Sequence, residues 1–441
     1  MGHYVPHTDA EIEQMLSFVG LGSLDELYAM VPAAMRLAGG LDMAAGVSEF
    51  DVMAEMERLA SKNETDLICF AGGGAYDHDI PAAVRRLSGR TEFVTSYTPY
   101  QPEVAQGVLQ ALFEYQTLVS RLSGLPVANA SLYDGASACV EAVNLTVAAS
   151  GRPGVLLSRG VNPQWRAVMA TMALGTGHDL IDAPLRDGLT DWAAVESTPG
   201  IGTVMLQYPN YLGCLEDVPQ ARKLADALGA KLVVAFDPVS VGLLHTPGSL
   251  GADVVVGEGQ PFGTPLSLGG PYLGFFTCKL EDIRRLPGRL VGETVDAEGT
   301  RAYVTTLRTR EQDIRREKAS SNVCTNQTLI AVTAAIQLAW LGTQGLRDLA
   351  LRCARATRYA REALLNLEGV EPATSAPTLR EFSVRTPVAS DVIVDRMVSE
   401  GFLAGIALGE EYDDGLLISA TEKRTKAEID AYVEAFEKVI R

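Results

Sequence analysis

The chain has 441 residues, 47% of them apolar and 21% charged, with a formal net charge of −18. That length is about twice a typical domain, so two or three lobes with a large core are expected. The acidic balance repels polyanions and excludes nucleic acid as a partner, while a basic or zwitterionic substrate stays open. No run of about 18 apolar residues is evident, which argues against a membrane span. The start, Met1-Gly-His-Tyr-Val-Pro-His-Thr, lacks the basic and apolar regions of a signal peptide, so a cytoplasmic protein is expected. Cysteines stand at 69, 139, 214, 278, 324 and 353. None forms a Cys-x-x-Cys pair, so neither zinc nor a redox dithiol is suggested, and reduced, buried thiols are expected.

Thr8-Asp-Ala-Glu11 reads as a capping box opening a short helix. Phe18-Val-Gly-Leu-Gly-Ser23 breaks that helix and Ser23-Leu-Asp-Glu-Leu starts another, so residues 1–65 read as a helical arm. From Asp66 to about Gly257, apolar strands alternate with helical stretches. Gly154–Ser158, Thr203–Gln207 and Leu232–Phe236 are strands, and Val218–Leu228 is a helix between two of them. This rhythm predicts a mostly parallel sheet covered on both faces. The pattern changes after Thr325. A long apolar helix runs to about Trp340, Gly342–Gly345 interrupts it, and an Arg-rich amphipathic helix continues to about Leu367. Strands at 381–385 and 415–419 and helices at 391–399 and 426–440 complete a small α+β domain. The expected division is 1–65 arm, 66–327 large α/β domain and 328–441 small domain.

Four segments carry candidate chemistry. Thr95–Gly107 gathers Tyr97, Tyr100, Gln101 and Glu103 between prolines. Proline stiffens such a loop, and rigid phenols and amides suit substrate contacts, although a packing loop at a subunit contact reads the same way. Tyr133-Asp-Gly-Ala-Ser137 leads into a helix whose free N–H groups suit a phosphate; an ordinary N-cap by Asp134 or Ser137 explains it equally. Ala71-Gly-Gly-Gly-Ala-Tyr-Asp-His78 allows a tight turn or a close backbone approach, but lacks the spacing of a dinucleotide fingerprint. There His78 is a proton-shuttle candidate or a structural histidine, and no metal set is suggested. Lys318–Leu329 offers Ser321, Asn322 and Thr325 as donors at a helix start, or as simple caps.

The stretch from Lys231 to Phe276 holds the landmarks of a large domain that binds pyridoxal phosphate (PLP). Strand 231–236 ends in Asp237, where such folds pair a carboxylate with the pyridinium nitrogen. After the next strand comes Glu258-Gly-Gln260-Pro-Phe-Gly, where they place the Schiff-base lysine. Gln260 stands there, and no lysine lies between Lys231 and Lys279. An amide forms no imine with an aldehyde, so Asp237 and Gln260 read as a vestigial PLP site.

Three longer motifs, Tyr97–Glu103, Ala128-Asn-Ala-Ser-Leu-Tyr-Asp-Gly135 and Ser321-Asn-Val-Cys-Thr-Asn-Gln327, resemble glycine dehydrogenase (decarboxylating), the P-protein of the glycine cleavage system. The match is to its subunit 1 branch, the N-terminal half in bacteria that split the protein, and runs from near Phe18 to the C-terminus. The resemblance implies a fold-type-I PLP-dependent transferase architecture. It also implies an α2β2 assembly with a second subunit that holds PLP, glycine as substrate, and the lipoyl group of H-protein as acceptor of the aminomethyl group. By the same resemblance Tyr97, Tyr100, Gln101 and Glu103 support the site, and Ser321, Asn322 and Thr325 lie toward the partner's PLP phosphate. Two other readings stand beside it: a self-sufficient PLP enzyme using a lysine elsewhere, such as Lys318, and a non-catalytic scaffold or regulatory paralogue.

Overall fold

The computed structural model describes residues 6–37, 41–96, 98–195, 199–267 and 269–441. The chain divides into two compact units, Met1–Asp66 and Leu67–Arg441. In the first, helix Asp9–Phe18 opens on the expected capping box: Thr8 N–H donates to Glu11 Oε2 at 2.7 Å, and Glu11 N–H donates to Thr8 Oγ1 at 3.3 Å. Gly20, at φ +77°, ends it. A 3₁₀ turn at Leu24–Tyr28 and a Ser48-capped helix at Glu49–Ala60 follow. None of these elements buries a residue. Helices this short draw little stability from propensity alone.

The second unit is built on a seven-stranded sheet. Strand Ile201–Tyr208 pairs in parallel with Gly154–Ser158 on one side and Lys231–Phe236 on the other. Parallel strands Asp179–Ala183 and Val254–Glu258 extend the two sides. Gly274–Cys278 then pairs antiparallel with Val254–Glu258 and with the short strand Val127–Ala128. The sheet is apolar on both faces, as parallel sheets require. Leu232, Val234 and Phe236 pack with helix Pro102–Ser123 and helix Val218–Leu228. Val233 and Ala235 point the other way, toward helix Gly135–Ser150. This alternation delivers Asp237 and Gln260 to the carboxyl ends of the strands, where α/β sheets bind ligands.

Helix Thr328–Leu365 is broken at Gly342, whose φ of +59° is open to glycine. By length and composition this helix could cross a membrane, which the sequence reading had not anticipated. About 39% of that apolar window is buried inside the protein, and Trp340 is exposed. Ala331, Ala334 and Leu338 join the core of the large sheet, while Ala360 and Leu364 join a C-terminal core. That C-terminal layer is an antiparallel sheet in the order 371–372, 381–385, 416–419, 406–407, with helices Ser390–Ser399 and Lys426–Ile440 against it. The strand expected near Asp66 does not join the large sheet. Ile68–Cys69 pairs in parallel with Phe402–Leu403, and Phe70 stacks on Tyr432 at 4.0 Å between centroids. The apolar run is short enough to serve either layer, and the aromatic partner decides.

Candidate functional site

At the carboxyl ends of the strands the PLP-like landmarks are all engaged within the protein. Gln260 is fully buried. Its Oε1 accepts from Tyr76 N–H at 2.9 Å, and its Nε2 donates to Tyr76 O at 3.0 Å and Thr264 O at 2.7 Å. Asp237 Oδ1 accepts from Val239 N–H at 3.0 Å, and Oδ2 pairs with Arg380 Nη2 at 2.8 Å. Asp237 therefore has its own buried cation, where such folds would set a pyridinium nitrogen. The Arg380 guanidinium carbon lies 3.5 Å from the Tyr76 ring centroid, and Nη1 donates to His78 Nε2 at 2.7 Å. Burial opposes the Arg380 charge most, but Asp237 together with Tyr76, Cys353 and Glu381 more than offsets it and holds the pKa above its ordinary value.

Glu381 closes the cluster. Its Oε2 accepts from Tyr76 OH at 2.6 Å, and its Oε1 accepts from Gly73 N–H at 2.6 Å. Burial raises the Glu381 carboxyl to about 7. Burial, then the Glu381 charge, pushes the Tyr76 phenol well up, so it stays a donor. The glycine run has its purpose here: a Cβ on Gly72 would collide with the Glu381 carboxylate and stand 2.7 Å from Ser419 Cβ. His78 is a structural bridge. Nδ1 meets Glu422 Oε2 at 2.7 Å, and Glu422 Oε1 accepts from Asp79 N–H at 2.7 Å. Burial works to raise the Glu422 carboxyl, but the bond and charge of His78 together with backbone donors, Asp79 N–H among them, hold it at about 2. His78, Cys353 and Glu422 bring metal-ligand atoms within 4.8 Å of one another. The Arg380 cation against His78 disfavours a second cation there.

The residues present do not fit PLP. Asp237, which would face the pyridinium, is already paired with Arg380, the Arg380 guanidinium lies against the Tyr76 ring, and the Gln260 amide is spent on the Tyr76 backbone and Thr264 O. The helix N-terminus at Gly135 is also taken. Gly135 N–H donates to Glu258 Oε2 at 2.9 Å, and Asp134 caps Ser137 N–H at 2.7 Å, so the ordinary capping reading of that motif holds. Glu258 also accepts from Gln260 N–H at 3.0 Å and Leu273 N–H at 2.9 Å. Burial raises it to about 8 against the pull of these donors.

A second site lies open. A cleft of ≈ 890 Å³ is lined by Thr95, Ser96, Thr98, Tyr100, Gln101, Arg289, Cys324 and Thr325, among others. It joins two segments that the sequence singled out separately. The link is Arg289, which the sequence reading missed. Its Nη2 donates to Tyr100 OH and Cys324 O, each at 3.0 Å, and Nη1 donates to Asn326 Oδ1 at 2.9 Å. Arg289 and Arg308 lie 5.0 Å and 5.4 Å from the Tyr100 ring centroid, making this a cationic corner of an acidic protein. Arg289 is 5% exposed, and among the described residues it forms no ion pair.

The candidate residues divide. Tyr100, Gln101 and Thr325 line this cleft; Glu103 lines a neighbouring one with Gln106 and Tyr303. Gln101 is the N-cap residue of helix Pro102–Ser123, with no side-chain capping bond. Ser321 Oγ accepts from Val323 N–H at 3.1 Å and Asn322 is exposed; neither lines the cleft. Tyr97 lies outside the described residues. Of the six free cysteines, Cys139, Cys214, Cys278 and Cys353 are buried, Cys69 is half-buried and Cys324 is exposed at the cleft, contrary to the expectation of uniformly buried thiols. Arg289, Arg380 and Glu381 carried no sequence signal, because their partners lie far away in the chain; Tyr76 and Glu258 stood in noted segments but were assigned no role.

The glycine cleavage system P-protein family matches residues 2–436. The chain is 46% identical to the probable glycine dehydrogenase (decarboxylating) subunit 1 of Moorella thermoacetica, covering 99% of each. It is 46% identical to that of Prosthecochloris aestuarii, covering 98% of each. Its structure resembles the crystal structure of glycine decarboxylase (P-protein) of the glycine cleavage system in inhibitor-bound form, with TM-score 0.94 and 42% identity over 99% of this chain and 100% of that one. An alanine–glyoxylate aminotransferase from Nostoc sp. shares the fold alone, with TM-score 0.60 and 17% identity over 86% of this chain and 96% of that one. The architecture is thus the mostly parallel α/β fold of fold-type-I PLP enzymes, and the chain belongs to the glycine cleavage system P-protein family.

Proposed function

We propose that the chain is one half of a glycine decarboxylase, active in complex with a second subunit. The carrying observation is the end-to-end similarity to a P-protein structure in a chain that has Gln260 in place of a Schiff-base lysine and whose Asp237 is paired with Arg380. PLP, held by the second subunit, supplies the electron sink for the electrons left when glycine loses CO2. The aminomethyl group passes to the lipoyl group of H-protein, and an α2β2 assembly is the proposed form. Such work suits the cytoplasm, where six free thiols stay reduced.

In this reading the cleft of Tyr100, Gln101 and Thr325 faces the partner's active centre. Tyr97, Tyr100 and Gln101 orient glycine or relay a proton, with Glu103 in support. Ser321, Asn322 and Thr325 lie toward the partner's phosphate. Arg289 holds the Tyr100 phenol in place. The test is reconstitution: the lone chain should be colourless and inactive, and activity should appear on adding the second subunit. A yellow, active lone chain would favour the self-sufficient enzyme. Inactivity even with the partner would favour the scaffold.

A further inference from the structure

The Tyr76–Arg380 pair does more than exclude a cofactor. It ties together three parts of the chain that share no local sequence. Tyr76 lies in the glycine loop, Asp237 and Gln260 end strands of the large sheet, and Arg380 and Glu381 open the first long strand of the C-terminal sheet. Gln260 grips the backbone of Tyr76 from the large-sheet side through both the oxygen and the nitrogen of its side-chain amide, at 2.9 and 3.0 Å. Glu381 grips its phenol from the C-terminal side at 2.6 Å. Between them, Arg380 lies 3.5 Å from the ring centroid and reaches Asp237 at 2.8 Å and His78 at 2.7 Å. A flat cation in contact with an aromatic ring, with its charge met by the strand-end carboxylate, occupies the place of a pyridinium met by that carboxylate.

We infer that Tyr76 and Arg380 form a built-in stand-in for the cofactor that locks the C-terminal sheet onto the large sheet. Domains that close around a ligand open when it leaves. This pair cannot leave, so the second unit is held closed with no ligand present. The lost lysine is then not the sole obstacle to PLP. An amine at position 260 could condense with the aldehyde, losing water, only if the ring had room beside Asp237.

Two measurements on the full-length chain test this. The first is Gln260→Lys incubated with PLP, reduced with borohydride and mapped by peptide mass spectrometry. Folded protein without an adduct at position 260 is the expected result; a stoichiometric adduct there overturns the inference. The second is amide hydrogen exchange of Arg380→Met, with Tyr76→Phe as the milder change. Losing one member of a buried charge pair should raise exchange ~10²-fold. The rise should appear together in strands Glu381–Arg385 and Leu416–Ser419 and in the 71–80 loop. Tyr76→Phe keeps the ring against the guanidinium and loses only the bond to Glu381, so a rise of ~10-fold is expected in the same segments. Exchange unchanged in both variants, or raised only beside the substituted residue, overturns the lock.

Discussion

Replacing Tyr100 by phenylalanine removes one oxygen and leaves the ring near Arg289 and Arg308. That oxygen accepts one hydrogen bond, from Arg289 Nη2 at 3.0 Å, and the same nitrogen also donates to Cys324 O at 3.0 Å. The guanidinium therefore keeps an acceptor, and with Tyr100 half exposed the cost to stability should be about 1 kcal/mol or less. A phenol that positions glycine or carries a proton contributes far more to rate, and a ~10²-fold loss corresponds to about 2.7 kcal/mol of barrier. Tyr100→Phe should thus assemble with the second subunit, melt within a few degrees of the parent, and lose ~10²-fold in glycine decarboxylation. The assay is CO2 exchange with glycine in the presence of the second subunit and lipoylated H-protein. Tyr97→Phe belongs in the same series, with at least one of the two variants expected to fall this far. If both assemble and keep near-normal exchange, the loop serves packing only and the catalytic role proposed for this subunit is wrong.

Stability should fall as pH rises from about 5 to about 8. Burial raises Glu258 to about 8 and Glu141 and Glu381 to about 7, so the folded state holds more protons than the unfolded chain across that window. Glu422, held at about 2, has the opposite sign and loses its contribution as pH drops from about 4.5. Melting temperature against pH checks both limbs, and a stability maximum near pH 8 would contradict the first. Glu258→Gln can leave an oxygen for the Gln260 and Leu273 N–H groups but then sets an amide NH2 against Gly135 N–H. It should cost ~1–3 kcal/mol and flatten the slope, measured by denaturant unfolding. Among the cysteines, Cys324 should react first with a thiol reagent, and binding of the second subunit should slow it if the cleft faces that partner. Equal labelling rates with and without the partner would place the interface elsewhere. Co-expressed subunits should give a single heteromeric peak by size exclusion with light scattering, whereas two separate homo-oligomers would contradict the proposed assembly.

Much of the fold is legible in the chain, since the forces involved act over a few residues. Continuous apolar runs such as Leu232–Phe236 can be buried only in a sheet covered on both faces. The Thr8 capping box states its own geometry, and an amide at position 260 rules out an imine whatever surrounds it. The Tyr97–Glu103 and Ser321–Gln327 segments also stand out locally through their unusual composition. Long-range pairing is not written in any such window. That Ile68–Cys69 joins the C-terminal layer and not the large sheet depends on Phe402 and Tyr432, more than 300 residues away. Arg380 looks like an ordinary surface cation ahead of a strand until folding sets it between Asp237, His78 and Tyr76. Arg289 likewise gains meaning only when its guanidinium bridges Tyr100 to the segment around Cys324. A charge can be buried when its partners surround it from several directions. No stretch of sequence holds that arrangement, so the tertiary structure alone decides whether Asp237 stands free or is met by a buried cation.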